Sequence, residues 1–283
     1  MISLFLLSNN SFCQSDSLKG IQTDIMLHPC DAFTAYTLKK NEFIYNQSPF
    51  TLPLPSWAWW GITDRITAEI DLLPLVGGLF VPPHLPVPSL NFRFRLYNKP
   101  HLSIAFETMF QHLWTAQNQS NGPALFVERY PGSSWYNRFN FSWYNQKKLR
   151  FHFSAGATYS EELFIASLDS TNFRSRYFQR TVNPDLSASV DWRPTPWISM
   201  HLTASYGTTF VYLDNVPRKY ELNYGFRIAP FYKCKWGLLR SFRTEFSGLY
   251  MFFPDAKEYI TNYFPIFPYF YWQWTCKKKE KKA

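Results

Sequence analysis

No run of roughly 18 apolar residues occurs in the 283-residue chain, so a membrane-spanning helix is excluded. Cysteine is scarce, with four in all. None belongs to a Cys-x-x-Cys pair or has histidine at ligand spacing, which argues against a structural zinc site. No glycine-rich phosphate loop, His-Glu-x-x-His or cofactor fingerprint is present. No catalytic residue, metal ligand or cofactor is therefore assigned. Acidic residues are outnumbered, for a formal net charge of +9. A basic, aromatic chain invites a nucleic-acid reading, but five of the charges are Lys277, Lys278, Lys279, Lys281 and Lys282, a solvated tail, and the others are scattered singly. No nucleic-acid partner is expected.

What the chain has in quantity is aromatic side chains, 20% of all residues, together with a mean hydropathy of −0.27. That combination suits a porin-like barrel, in which every second side chain faces lipid and its neighbours face water.

Period-two alternation recurs along the chain. Ile66, Ala68, Ile70 and Leu72 oppose Thr67, Glu69 and Asp71; Leu90, Phe92, Phe94 and Leu96 oppose Asn91, Arg93 and Arg95. Leu102, Ile104 and Phe106 oppose Ser103, Ala105 and Glu107, in a strand expected to continue to about Trp114. Phe139, Phe141 and Trp143 oppose Arg138, Asn140 and Ser142. The clearest strand sets Leu149, Phe151, Phe153, Ala155, Ala157 and Tyr159 against Lys148, Arg150, His152, Ser154 and Thr158. A hairpin follows, from Leu186 to Trp192 and from Ile198 to Tyr206, with Asp191 and His201 on its polar face. Two further strands carry Arg227, then Arg243 and Glu245. Weaker strands at Glu42 to Ser48 and Pro55 to Ile62 open the set, and Tyr259 to Thr275 closes it.

Alternation alone also fits a soluble β-sandwich, whose apolar face would be its core. Connection lengths discriminate. Short turns are expected at Thr63-Asp64, Asn98 to Pro100, Asn145 to Lys147, Arg193 to Pro196 and Cys234 to Gly237. Long loops are expected at Pro74 to Pro88, Ala116 to Ser133, Glu161 to Asn183 and Asp214 to Lys219. Short and long connections alternate, as a transmembrane antiparallel up-and-down β-barrel of about 12 strands requires, with short turns periplasmic and long loops outside. The eleven tryptophans, from Trp57 to Trp274, collect near strand ends, and nearly all of them lie where a girdle at the headgroups would sit.

The polar faces then line a lumen. Its expected members are Glu69, Asp71, Arg93, Arg95, Glu107, Arg138, Arg150, His152, Asp191, His201, Arg227, Arg243 and Glu245, with Lys148 beside them. Bases slightly exceed acids there, and opposite charges on adjacent strands would brace the wall.

The opening residues read as an export signal, residues 1–13, with an apolar run at Leu4 to Leu7 and small residues at Ser11 and Cys13. Residues 14–40 are expected to form a periplasmic lead-in or plug, 41–276 the barrel and 277–283 a basic periplasmic tail. Cys30, Cys234 and Cys276 remain after cleavage. One disulfide with one free thiol, or three isolated cysteines, both fit.

The stretch Thr34 to Glu42, with Ala35-Tyr36-Thr37 inside it, and the later Trp60-Gly61-Ile62-Thr63-Asp64-Arg65 resemble the opening hairpin of porin-like outer-membrane β-barrel proteins from Bacteroidota. Asn41 stands where a turn glycine is expected. The resemblance covers about the first quarter of the chain. It implies the fold and the cell outer membrane as location, and it brings no catalytic residue and no substrate.

Three functions follow as expectations. The first is a channel or transporter for small solutes. The second is a structural or interaction subunit of a larger outer-membrane assembly, with outer-membrane lipid and other outer-membrane proteins as partners through its outer loops. The third is a lipid-acting barrel enzyme, since His152-x-Ser154 is similar to the His-x-Ser pair of lipid A deacylases. That pair faces the expected lumen and not the lipid, so a non-enzyme is preferred.

Overall fold

The computed structural model describes residues 33–49, 56–71, 89–112, 117–120, 125–145, 148–168, 171–207, 220–252 and 261–276. The expected export signal, most of the expected lead-in, the loops expected at Pro74 to Pro88 and Asp214 to Lys219, Trp114 and the expected basic tail lie outside them.

The strands are β1 (Phe43–Gln47), β2 (Trp57–Gly61), β3 (Ile66–Asp71), β4 (Ser89–Lys99), β5 (Leu102–His112), β6 (Gln117–Ser120), β7 (Leu125–Asn145), β8 (Leu149–Leu168), β9 (Thr171–Thr195), β10 (Ile198–Tyr206), β11 (Tyr220–Ile228), β12 (Phe242–Phe252) and β13 (Thr261–Cys276). A one-turn helix, α1 (Gly237–Ser241), precedes β12. Consecutive strands pair antiparallel except β5 and β6, β1 pairs with β13, and β5 pairs with β7. β6 adds to β7 past the end of β5. Twelve strands thus close an up-and-down barrel.

Burial is inverted relative to a soluble sandwich. On β8, Phe151 and Phe153 are exposed while Arg150, His152 and Ser154 are buried; on β9, Leu186 and Trp192 are exposed while Ser187, Ser189 and Asp191 are buried. A sandwich would bury the other face, so that alternative is overturned. The outer face is knit by cross-strand aromatic pairs: Phe94 with Phe106, Phe106 with Phe139, Phe141 with Phe153, and Trp143 with Phe151. Its few polar groups satisfy one another, as an apolar surrounding demands. The Trp135 indole donates to Thr108 Oγ1 at 2.7 Å, and Thr108 donates to Asn137 at 2.9 Å.

Four sequence-based expectations need correction. Trp57 and Trp59 are buried inside the barrel, because Trp-Ala-Trp-Trp places both on the face opposite Trp60, which is exposed. Lys148 is exposed beside the turn before β8 and does not face inward. Much of the segments expected as long loops continues the sheet: Glu161 to Leu168 pairs with Thr171 to Arg180, and Leu125 to Arg129 pairs with β8. A tilted strand crosses the apolar slab in about ten residues. Beyond that band both faces meet water, so the ladder continues while the alternation that betrays a strand fades. Finally, the connection around Cys234 to Gly237 is no tight turn; it runs from Ala229 to Ser241 and contains α1.

The two ends of the closed sheet meet at Phe43 and Cys276. Both lie at the rim that carries the short turns. Cys276 is disulfide-bonded, to a partner outside the described residues, and Cys234 is a free thiol.

Candidate functional site

The interior is the one region where polar chemistry is concentrated. Alternation brings it about: with apolar residues turned outward, every intervening side chain of β3 to β12 must turn inward. Arg93, Glu107, Arg138, Arg150, His152, Asp191, His201, Arg227, Arg243 and Glu245 are all buried there. Glu69 and Arg95 are half-buried, Arg95 just before a β-bulge that separates it from Tyr97. Asp71 ends β3 opposite Ser89, and its side chain lies outside the described residues.

These residues fall into groups. The largest runs across four strands. Asn91 donates to Glu69 at 3.0 Å and to Glu107 at 2.6 Å, and Asn140 donates to the other oxygen of Glu107. Arg93 adds ion pairs to Glu107 at 3.3 Å and to Glu69 at 3.8 Å. In register, Glu107 lies between Arg93 on β4 and Arg138 on β7. A second group is on β12, where Glu245 accepts from Arg227 Nε at 3.0 Å and Nη2 at 2.9 Å, and from Ser247 at 2.6 Å. The third pairs Asp191 with Arg193, both through Nε and through Nη2 at 2.7 Å. Each carboxylate is buried with its cation, a geometry that makes removal of one partner expensive. His152 Nδ1 lies 2.9 Å from Ser142 Oγ on β7. The imidazole is thus paired with Ser142, and both His152 and Ser154 are buried away from the apolar outer surface.

Glycines make room for the long side chains. A Cβ on Gly156 would stand 2.5 Å from the Cβ of Arg138, its register partner. One on Gly225 would meet the His201 ring at 2.2 Å.

The interior also holds part of the chain that precedes β1. Phe33 to Tyr36 and Leu38 are buried, and they run beside the wall from the level of Arg138 to the rim. The Ala35 N–H donates to Ser142 Oγ at 2.8 Å and the Leu38 N–H to Thr67 Oγ1 at 2.8 Å. Arg93 Nη1 donates to the Tyr36 carbonyl at 3.1 Å. The Tyr36 ring meets His152 edge-on, and the Arg138 guanidinium lies 3.8 Å from the centre of the Phe33 ring. Tyr36 and Leu38 join Ile44, Trp57, Trp59, Tyr269 and Tyr271 in an apolar cluster on the β13–β1–β2 wall. One side of the interior is aromatic and the other ionic.

At the rim the chain reverses into β1. Asn41 takes a left-handed conformation, φ 61°, in the position where the sequence calls for a turn glycine. Its N–H donates to the Gly61 carbonyl at 2.8 Å, and Gly61 N–H donates to the Glu42 carbonyl at 2.8 Å. Gly61 is needed for this approach, because a Cβ there would lie 2.0 Å from the Lys39 carbonyl oxygen. Lys40 N–H is held by Asp64 at 2.9 Å.

Sequence reasoning missed several of these residues. Arg193 was read as part of a turn, yet it closes a buried ion pair. Asn91, Asn140 and Asp185 carry no charge-pattern signal that marks them as anchors, although Thr158 donates to Asp185 within the interior. Phe33 to Leu38 carries no periodicity at all. Among the described residues no group of three or more His, Cys, Asp or Glu side chains is disposed to hold a metal.

No protein-family model and no curated protein sequence matches the chain. Among solved structures it is similar to CymD, a monoaromatic hydrocarbon channel, at 9% identity over 95% of this chain and 95% of that one, with a TM-score of 0.37. It is also similar to Ail, the attachment invasion locus protein of Yersinia pestis (7% identity, 60% and 89% covered, TM-score 0.27), and to OccAB4 of Acinetobacter baumannii (10%, 83% and 72%, TM-score 0.25). At these scores the likenesses carry no argument. The reading below rests on the sheet and its burial.

Proposed function

We propose that the chain is an outer-membrane β-barrel that works as a channel or transporter for small solutes. One observation carries this reading: a closed twelve-strand sheet with aromatic and aliphatic side chains outside and charged, hydrogen-bonded side chains inside. Only an apolar surrounding makes that arrangement favourable, and only a closed barrel satisfies its backbone there. The apolar outer stretch of β8, Phe151 to Tyr159, and that of β9, Val182 to Trp192, match the span of about ten residues that a tilted strand needs. Export through residues 1–13, contact with outer-membrane lipid and a periplasmic location for the short-turn rim belong to the same proposal.

Within it, Phe33 to Leu38 serves as the inner end of a plug formed by the lead-in. The conducting path is accordingly narrow. Purified chain refolded into planar bilayers is expected to give small, discrete conductance steps; folded, inserted protein without any steps would remove the channel reading. The extended hairpin of β8 and β9 favours interaction as a second role, since Tyr177 and Phe178 stand exposed on it at 49% and 62%. Affinity isolation from the native membrane that returns the barrel alone would remove that role.

A further inference from the structure

Arg138 is the member of the β4–β5–β7 ion cluster whose guanidinium end is left without a hydrogen-bond acceptor. It is almost wholly buried, and its two terminal nitrogens have no hydrogen-bond partner. The acid beside it in register, Glu107, is committed elsewhere: one oxygen accepts from Asn91, the other from Asn140 and Arg93. A buried guanidinium in this position favours any acceptor that can reach it, because a buried donor without a partner is costly. What covers it is an arene. The Phe33 ring lies 3.8 Å from its carbon, with Tyr136 at 5.7 Å on the wall. Three residues on, the Tyr36 carbonyl supplies an oxygen acceptor to Arg93. The chain thus presents to two arginines an aromatic ring and, a short span away, an oxygen.

We propose that this stretch of wall, built from Arg93, Arg138, Tyr136 and Ser142, is a binding site for small aryl-alkyl carboxylates, and that Phe33 to Tyr36 is its intramolecular occupant. In the ligand-bound state the arene takes the place of the Phe33 ring. The carboxylate takes the place of the Tyr36 carbonyl on Arg93 and brings the acceptor oxygen that Arg138 lacks. A carbonyl dipole satisfies Arg93 with one lone pair, whereas a carboxylate offers two oxygens and a full charge, so the exchange favours the ligand. The inference names the solute class of the proposed channel and rests on the reading of this face as the channel interior.

The test is titration calorimetry on the purified full chain, folded in detergent, with 3-phenylpropionate, propionate and 3-phenylpropanol as probes. The first is expected to bind, and both others to bind at least tenfold more weakly, since one lacks the ring and the other the charge. Replacing Arg138→Gln removes a charge-assisted contact and is expected to weaken 3-phenylpropionate about 10- to 100-fold. Phe33→Ala removes the internal competitor and is expected to tighten it. That opposite sign separates a site effect from misfolding, which weakens binding in every variant. Arg180→Gln, on the exposed hairpin, is expected to bind as the wild type does. Equal affinity for propionate or for 3-phenylpropanol would overturn the ligand class. Unchanged affinity in both Arg138→Gln and Phe33→Ala, or no binding to either wild type or Phe33→Ala, would overturn the site. Conductance without binding refutes this inference and leaves the channel intact; binding without conductance does the reverse.

Discussion

Replacing Glu107→Ala tests whether the interior is held by its ionic groups. In the native barrel the Glu107 carboxylate accepts from Asn91 and Asn140 and pairs with Arg93 at 3.3 Å, with both members of the ion pair almost fully shielded. Removing it leaves the Asn140 amide without its acceptor and Asn91 with Glu69 alone, and it leaves Arg93 and Arg138 with only Glu69 to offset them. Breaking one side of a buried ion pair costs about 3–5 kcal/mol. Each stranded donor adds about 1–3 kcal/mol where water cannot reach it. The contributions share partners and do not sum, so the expected loss is about 4 kcal/mol. Glu107→Gln keeps an acceptor oxygen and is expected to lose less. The comparison is Glu161→Ala, which removes an exposed pair with Arg180 at 3.3 Å and is expected to cost at most about 1 kcal/mol. Urea titration of chain refolded in lipid vesicles, followed by the gel mobility of folded and unfolded forms, measures all three. A Glu107→Ala barrel within about 0.5 kcal/mol of wild type would refute the reasoning, because it would mean that water reaches the stranded groups freely.

Three further outcomes are expected. Phe153→Arg, on the outer face of β8, should cost about 2–4 kcal/mol in vesicles if that face meets lipid, and a near-zero cost in the same urea titration would contradict a membrane setting. Gly61→Ala should push the Lys39 carbonyl aside and loosen the turn behind the buried segment, so trypsin should cut purified chain at Lys39 and Lys40 faster. Gly225→Ala meets the His201 side chain first, far from that turn, and should leave that cleavage unchanged. For orientation, a polymer-linked maleimide too large for porins should label Ser175→Cys on intact cells while native Cys234, on the short-turn side, reacts only once the outer membrane is opened; the reverse pattern would invert the barrel.

The sequence by itself determined which residues face which way. Period-two alternation is local, and it assigned β3, β4, β8 and β10 to a two-faced sheet before any partner was known. The alternation of short and long connections, also local, implied the up-and-down course; of the charged residues on those faces, Arg93, Arg150 and His201 are buried in the closed sheet, whereas Lys148 is exposed. What was not local was not legible. The closure of β5 on β7, the pairing of Arg193 with Asp191 and the role of Glu107 as a hub depend on register across strands. The inward turn of Trp57 and Trp59 depends on which face of a five-residue strand is interior, and a girdle and a core attract the same indole. Phe33 to Leu38 is the clearest case. Its backbone is satisfied by Ser142, 107 residues away from Ala35, and by Thr67, and its ring covers Arg138. No pattern within the segment specifies those contacts, because it is neither strand nor helix and takes its conformation from the wall it lies against. Only the closed barrel brings that wall together, so only the tertiary structure shows that Phe33 to Tyr36 and Leu38 are buried against it and which side chains they meet.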